Sequence, residues 1–156
     1  MLLSLGYCAL KIRDYKAALH MFEGARKMGA SGSEALEGMA EALFALGRYE
    51  EAADTAVKLD GHDAFLLAGR SMHRLRRDAE AEAYFKRAYD AEPERPDAAF
   101  ELAKLRLDRG DAESGVAWAK RALNAEPGSW DAKKLYERAL AETRKGKGAP
   151  GQWTPR

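Results

Sequence analysis

The amino-acid sequence predicts an all-α solenoid of stacked helix-turn-helix units, and three observations carry that prediction. Small residues recur in pairs twelve positions apart: Gly6 with Ala18, Ala40 with Ala52, Gly69 with Ala81, and Ala103 with Gly115. The pairs start 34, 29 and 34 residues apart, a period typical of stacked supersecondary repeats. Apolar residues around them fall at helical spacing, as with Leu36, Met39, Ala40 and Leu43, while Pro93, Pro96 and Pro127 sit between units, where they can begin a helix but not interrupt one.

Taken in order, the first unit occupies about residues 1–32, with the turn Arg13-Asp-Tyr15 between its helices. Met1 falls just inside a helix that would ordinarily begin a little earlier, so either that helix is frayed or the chain is a fragment of a longer one. The second unit, 33–61, opens on Ser31-Gly-Ser-Glu34, which has the form of a capping box, and turns at Gly47-Arg-Tyr49. It is five residues short, so its second helix, near Glu50 to Leu59, is expected to be stubby. The junction Asp60-Gly-His-Asp63 is then either a kink in the solenoid or simple loop variation.

The third unit, 62–95, holds Gly69, Ala81, Phe85 and Ala88; the fourth, 96–129, turns at Gly110-Asp-Ala-Glu-Ser-Gly115. Glycine at the end of a first helix provides the left-handed exit that helix C-termini favour. Small frame residues let paired helices approach, and Phe22, Phe85, Tyr84 and Tyr89 fill the space beside them. Residues 130–145 form one more helix, with Ala132, Leu135, Tyr136, Ala139 and Leu140 on one stripe and Lys133, Lys134, Glu137 and Arg138 opposite, the polar-faced cap that a solenoid end needs. The Gly- and Pro-containing tail, 146–156, is expected to be disordered.

Composition bounds the function. With 33% charged and 46% hydrophobic residues and a mean hydropathy of −0.53, the 156-residue chain reads as a folded repeat protein without a transmembrane segment. Net charge is +1, but Arg144, Lys145, Lys147 and Arg156 stand in a tail with no acid, which leaves residues 1–143 at −3. No basic body exists for nucleic acid to follow, so neither nucleic-acid binding nor membrane insertion is expected. The single cysteine, Cys8, makes no internal disulfide, and the first residues, with no basic stretch, are not expected to be a signal peptide; a cytoplasmic location is the default expectation.

On these residues the chain resembles the tetratricopeptide-repeat family. Leu5-Gly6, Ala18, Phe22 and Ala25 match in the first repeat, and Leu36, Gly47, Tyr49 and Ala52 in the second. Gly69, Ala81, Phe85, Ala88 and Pro93 match in the third, and Leu102, Gly110, Ala122 and Pro127 in the fourth. The match covers about residues 1–129; it departs at the family's aromatic in the first helix of a repeat, which is Leu36 or Phe65 here. The resemblance implies a right-handed superhelical α-solenoid of about four repeats plus a C-terminal capping helix. It also implies a concave groove lined by the first helix of each repeat.

In that register the groove positions are Tyr7, Glu37, Glu41, Phe44, Leu66, Arg70, His73, Arg74, Phe100, Lys104, Leu107, Lys134 and Arg138. Arg70, Lys104 and Arg138 are expected to supply charge and Phe44, Leu66 and Phe100 apolar anchors. Glu37 and Glu41 make one half acidic and the later residues make the other basic, a field suited to a peptide with an acidic segment. Leu3 and Tyr7 stand where chaperone-binding relatives carry Lys and Asn, so that specific clamp is not expected. The competing reading of the same positions is a solvated helix face.

Catalysis is not expected. His20, His62 and His73 lie in different units with no metal-ligand spacing, and Gly29-Ala-Ser-Gly-Ser33 lacks the Gly-Lys-Ser/Thr ending of a phosphate loop. No catalytic residues, no metal site and no cofactor are assigned. The sequence thus predicts a noncatalytic protein–protein interaction module, an adaptor, scaffold or chaperone. The alternatives are a solenoid that self-associates through exposed ends, or the recognition segment of a larger enzyme or of a secretion-chaperone system.

Overall fold

A computed structural model describes residues 1–29 and 32–147. Every regular element in them is a helix: α1 (Leu2–Lys11), α2 (Tyr15–Lys27), α3 (Ser33–Ala45), α4 (Tyr49–Ala56), α5 (His62–Arg74), α6 (Asp78–Ala91), α7 (Pro96–Asp108), α8 (Ala112–Ala125) and α9 (Trp130–Lys147). They divide into two compact units, Met1–Ala91 with α1 to α6, and Glu92–Arg156 with α7 to α9. In the first, each helix packs on the next, and α3 also touches α1 and α5. In the second, α8 packs between α7 and α9, which also meet each other.

One turn recurs four times. After α1, α3, α5 and α7 the chain passes through a left-handed residue: Arg13 (φ 61°), Gly47 (φ 77°), Arg76 (φ 63°) and Gly110 (φ 79°). The amide of each bonds back to Leu10, Phe44, His73 or Leu107, and the next amide bonds to Ala9, Leu43, Met72 or Arg106, at 2.9–3.0 Å. This is the Schellman arrangement, which satisfies carbonyls that a helix end leaves orphaned. Glycine takes the left-handed position at two turns as expected; arginine takes it at the other two.

The next helix is started in two ways. Asp14 accepts from the Ala17 amide at 3.0 Å and Asp111 from the Ser114 amide at 3.1 Å, capping α2 and α8. At α4 and α6 the equivalent residues are Arg48 and Arg77, each forked onto a glutamate three residues on, Glu51 and Glu80. Pro96 opens α7 at a position where its missing N–H costs nothing. The expected capping box at α3 is different: its N-cap is Gly32 with no side-chain bond, and Ser31 lies outside the described residues.

Seams between paired helices show why the frame residues are small. A Cβ on Gly6 would lie 2.7 Å from the Phe22 ring, and one on Gly69 2.6 Å from the Phe85 ring. Phe22 also presses on Gly38 of α3, so one ring meets glycines of two helices. In the α7–α8 pair the roles reverse, with Leu107 of α7 lying over Gly115 of α8. Ala18, Ala52, Ala81, Ala103 and Phe22 are wholly buried.

The second helix of the short repeat is eight residues, against thirteen for α2 and fourteen for α6. It ends at Ala56, and residues 57–61 turn the chain into α5 with Gly61 at φ 115°. At the far end, α9 buries Ala132, Leu135 and Ala139 and exposes Lys133, Lys134, Glu137 and Arg138. The tail expected to be disordered continues past Lys147 and there lies outside the described residues. No helix of the described residues is long and apolar enough to cross a membrane.

Candidate functional site

Residues of α1, α3 and α5 in the first unit line a groove of about 450 Å³. Tyr7 enters from α1; Glu37, Glu41 and Phe44 from α3; Leu66 and Arg70 from α5. These six groove positions read from the sequence are brought together. Ala56, the last residue of α4, and Leu59 in the turn after it also line the groove, so the shortened helix borders it. Its volume is within the range of pockets that hold a small ligand or a few side chains of a peptide.

The walls are fixed from behind. Tyr7 packs its ring edge-on to Phe22, with centroids 5.1 Å apart, and its hydroxyl donates to the Glu34 carbonyl at 3.0 Å. Phe44 meets Tyr49 at 5.3 Å across the turn into α4. Burial, and then the carboxylates of Glu37, Glu34 and Glu41, raise the Tyr7 phenol above its ordinary pKa, because a phenolate would be both less hydrated and repelled.

Two groove positions differ from expectation in burial. Leu66 is 5% exposed and forms floor rather than a protruding anchor. Leu107, 8% exposed, belongs to the core of the second unit, where it fills the space over Gly115. The register identifies the helix face, but at Leu107 a glycine across the seam draws the side chain inward. Phe100 is half-buried against the same core.

The remaining positions are mostly engaged within the fold. His73 Nδ1 lies 2.8 Å from the Asp78 carboxylate, tying α5 to α6, while Arg74 is exposed. In the second unit, Lys104 pairs with Glu101 at 3.2 Å and lies over the Phe100 ring at 5.7 Å. Arg138 approaches Asp108 at 3.8 Å, and Lys134 lies over the Trp130 ring at 4.1 Å. Of the expected basic surface, Lys104, Lys134 and Arg138 therefore already have partners.

Sequence reasoning missed Gly38, Asp63 and Ala64, which also line the groove. Asp63 was within reach: it stands in α5 where Glu34 stands in α3, one turn before Leu66 and on the stripe of Asp63, Leu66 and Arg70. Among the described residues no group of three or more His, Cys, Asp or Glu is placed to hold a metal ion.

Comparison with known proteins addresses the fold. A tetratricopeptide-repeat family model matches residues 3–64 and 54–96, and a second such model matches residues 79–139. A thermophilic tetratricopeptide-repeat protein of Thermus thermophilus shares 24% identity, with a TM-score of 0.76 over 90% of this chain and 80% of that one. YrrB, described as having an unusual peptide-binding site, shares 18% identity with a TM-score of 0.71, over 92% of this chain and 76% of that one. MamA from Desulfovibrio magneticus RS-1, residue 41 to the end, shares 18% with a TM-score of 0.73, over 92% and 90%. At these identities the shared property is the fold. No curated relative matches the sequence.

Proposed function

The chain belongs to the tetratricopeptide-repeat family, and from that premise we propose that it is a noncatalytic interaction module holding a peptide or partner helix in the groove of its first unit. The observation that carries this is the groove itself. An apolar floor of Phe44 and Leu66 is rimmed by Glu37, Glu41 and Arg70, all presented by helices rather than loops. Apolar surface rimmed by charge is the physical signature of a docking site, and helix-borne side chains hold it in a fixed shape. YrrB, of the same fold, is described as having a peptide-binding site, which supports the same use of the fold here.

Adaptor, scaffold and chaperone are all roles that such a groove serves. A partner with an acidic segment would find Lys104, Lys134 and Arg138 on the second unit, in competition with their present contacts. The exposed, unpaired Cys8 suits a reducing compartment such as the cytoplasm. A second reading, self-association, is favoured by the exposed Leu5 on α1 and Ile12 at its end; sedimentation as a monomer at all concentrations would dismiss it.

The test is affinity capture from native lysate with the wild-type chain beside a Phe44→Ala, Arg70→Glu variant, compared by mass spectrometry. Proteins retained by the wild type and lost by the variant are the expected result. The same proteins on both chains would move the site out of the groove.

A further inference from the structure

Helix α3 presents acids to the groove. Its thirteen residues carry three glutamates, Glu34, Glu37 and Glu41, and no lysine or arginine. Spacings of three and four place all three on one stripe, where neighbouring like charges repel and work against the helix. Several glutamates of other helices have cations beside them: Glu51 has Arg48, Glu80 has Arg77, Glu82 has Lys86 and Glu142 has Lys145. Glu37 and Glu41 are exposed and form no ion pair with the described residues, and they face a groove that also receives Asp63. Arg70 is the one cation among the lining residues, and it and Asp63 have interactions of their own, so the charge left facing the groove is that of Glu37 and Glu41.

Resting on the reading of this groove as the binding surface, we infer that its ligand is a peptide segment in which a lysine or arginine adjoins an apolar residue. The cation lies along Glu37 and Glu41, and the apolar side chain rests on Phe44 and Leu66. Carboxylates one helical turn apart match the width of a guanidinium or ammonium group, and the floor beside them takes a neighbouring side chain. The stripe thus has the sign and the spacing of a cation cradle that the chain itself leaves unfilled. The same carboxylates, after burial, raise the pKa of the Tyr7 phenol, in keeping with a negative field at that wall.

The experiment is selection of a random peptide display library on the immobilised full chain, in parallel with three variants: Glu37→Gln with Glu41→Gln, Phe44→Ala, and Ala64→Gln. The expected result is enrichment of Lys or Arg next to an apolar residue on the wild type. A synthetic peptide of that class should bind the glutamine double variant roughly tenfold more weakly, as loss of charge-assisted contacts implies. Enrichment of neutral or acidic peptides that still depend on Phe44 and Ala64 overturns the charge inference and leaves the groove reading standing. Peptides that bind all variants alike overturn both, as does the absence of any enrichment. Because the double variant removes repulsion, it should melt no lower than wild type; a lower melting temperature would show that the stripe is stabilised inside the fold and not held open for a ligand.

Discussion

The helix pairs α1–α2 and α5–α6 are built on one plan, and α3–α4 and α7–α8 on another. In the first plan a glycine on the leading helix, Gly6 or Gly69, receives a phenylalanine from the following one, Phe22 or Phe85. In the second, alanines stand at both positions, Ala40 with Ala56 and Ala103 with Ala119, and all four are buried. The turns follow the same division, with Arg13 and Arg76 in the left-handed position of the first plan and Gly47 and Gly110 in the second. The difference teaches that the period requires one residue of each facing pair to be small and lets the other be either a ring or a methyl.

Breaking a ring seam should have the largest effect. Phe85→Ala is expected to cost about 3–5 kcal/mol, since a wholly buried ring leaves a cavity, and Gly69→Ala about 1–3 kcal/mol, since the new methyl meets that ring. Together they convert the seam to the alanine plan, so the double variant should lose about 0.5–3 kcal/mol less than the sum of the singles. Urea unfolding of the three variants measures this, and strict additivity would show that the two positions are not coupled across the seam.

The aspartate-capped starts come next. Asp111→Ala should cost about 1 kcal/mol by leaving the first turn of α8 uncapped. Its carboxyl is held below the usual aspartate range by hydrogen bonding with Ser114 and, more weakly, by Arg106. A carboxyl with a depressed folded pKa stabilises above its unfolded pKa and loses that contribution as pH falls through the folded value. Wild type and variant should therefore converge in stability in strong acid, and a gap unchanged from neutral to acid pH would refute the cap as its source.

The smallest effect sharpens the comparison of turns. Gly47→Arg puts a side chain into left-handed backbone, at about 1 kcal/mol, although the other plan carries arginine at that place. Arg76→Gly relieves the same conformation and should stabilise by about 0.5 kcal/mol, part of the gain being offset by glycine's greater freedom when unfolded. Thermal melts of both variants measure the pair. An Arg76→Gly variant that melts lower than wild type would mean that contacts of the arginine side chain outweigh the strain of its backbone.

How far the molecule is legible in its sequence follows from the same contrast. The period was readable because the small pairs Gly6–Ala18, Ala40–Ala52, Gly69–Ala81 and Ala103–Gly115 keep one spacing, and a repeated spacing survives as pattern. Left-handed turns were readable at Gly47 and Gly110 but not at Arg13 and Arg76, since arginine carries no conformational signal of its own. At the groove, the register implied by the family resemblance put Tyr7, Glu37, Glu41, Phe44 and Arg70 on helix faces that line one groove. Spacing alone could not tell that Leu66 would sink into the floor, or that Leu107 would be drawn to Gly115, because burial depends on what stands across the seam. Nor could it show that Arg138 would turn toward Asp108, since the two are neighbours only once α7 and α9 are packed.

Phe22 has one more consequence. Its ring is wholly buried, pressed on Gly6 and on Gly38 and met edge-on by Tyr7. For that ring to rotate by half a turn, α1 and α3 must briefly separate, because the glycine backbones leave no side chain able to swing aside. The interconversion of its two edges in an aromatic NMR spectrum is therefore a clock for the opening of the groove wall. A ligand that bridges Tyr7 and Glu37 would slow the clock, and would do so without changing any bond within the ring's own pocket.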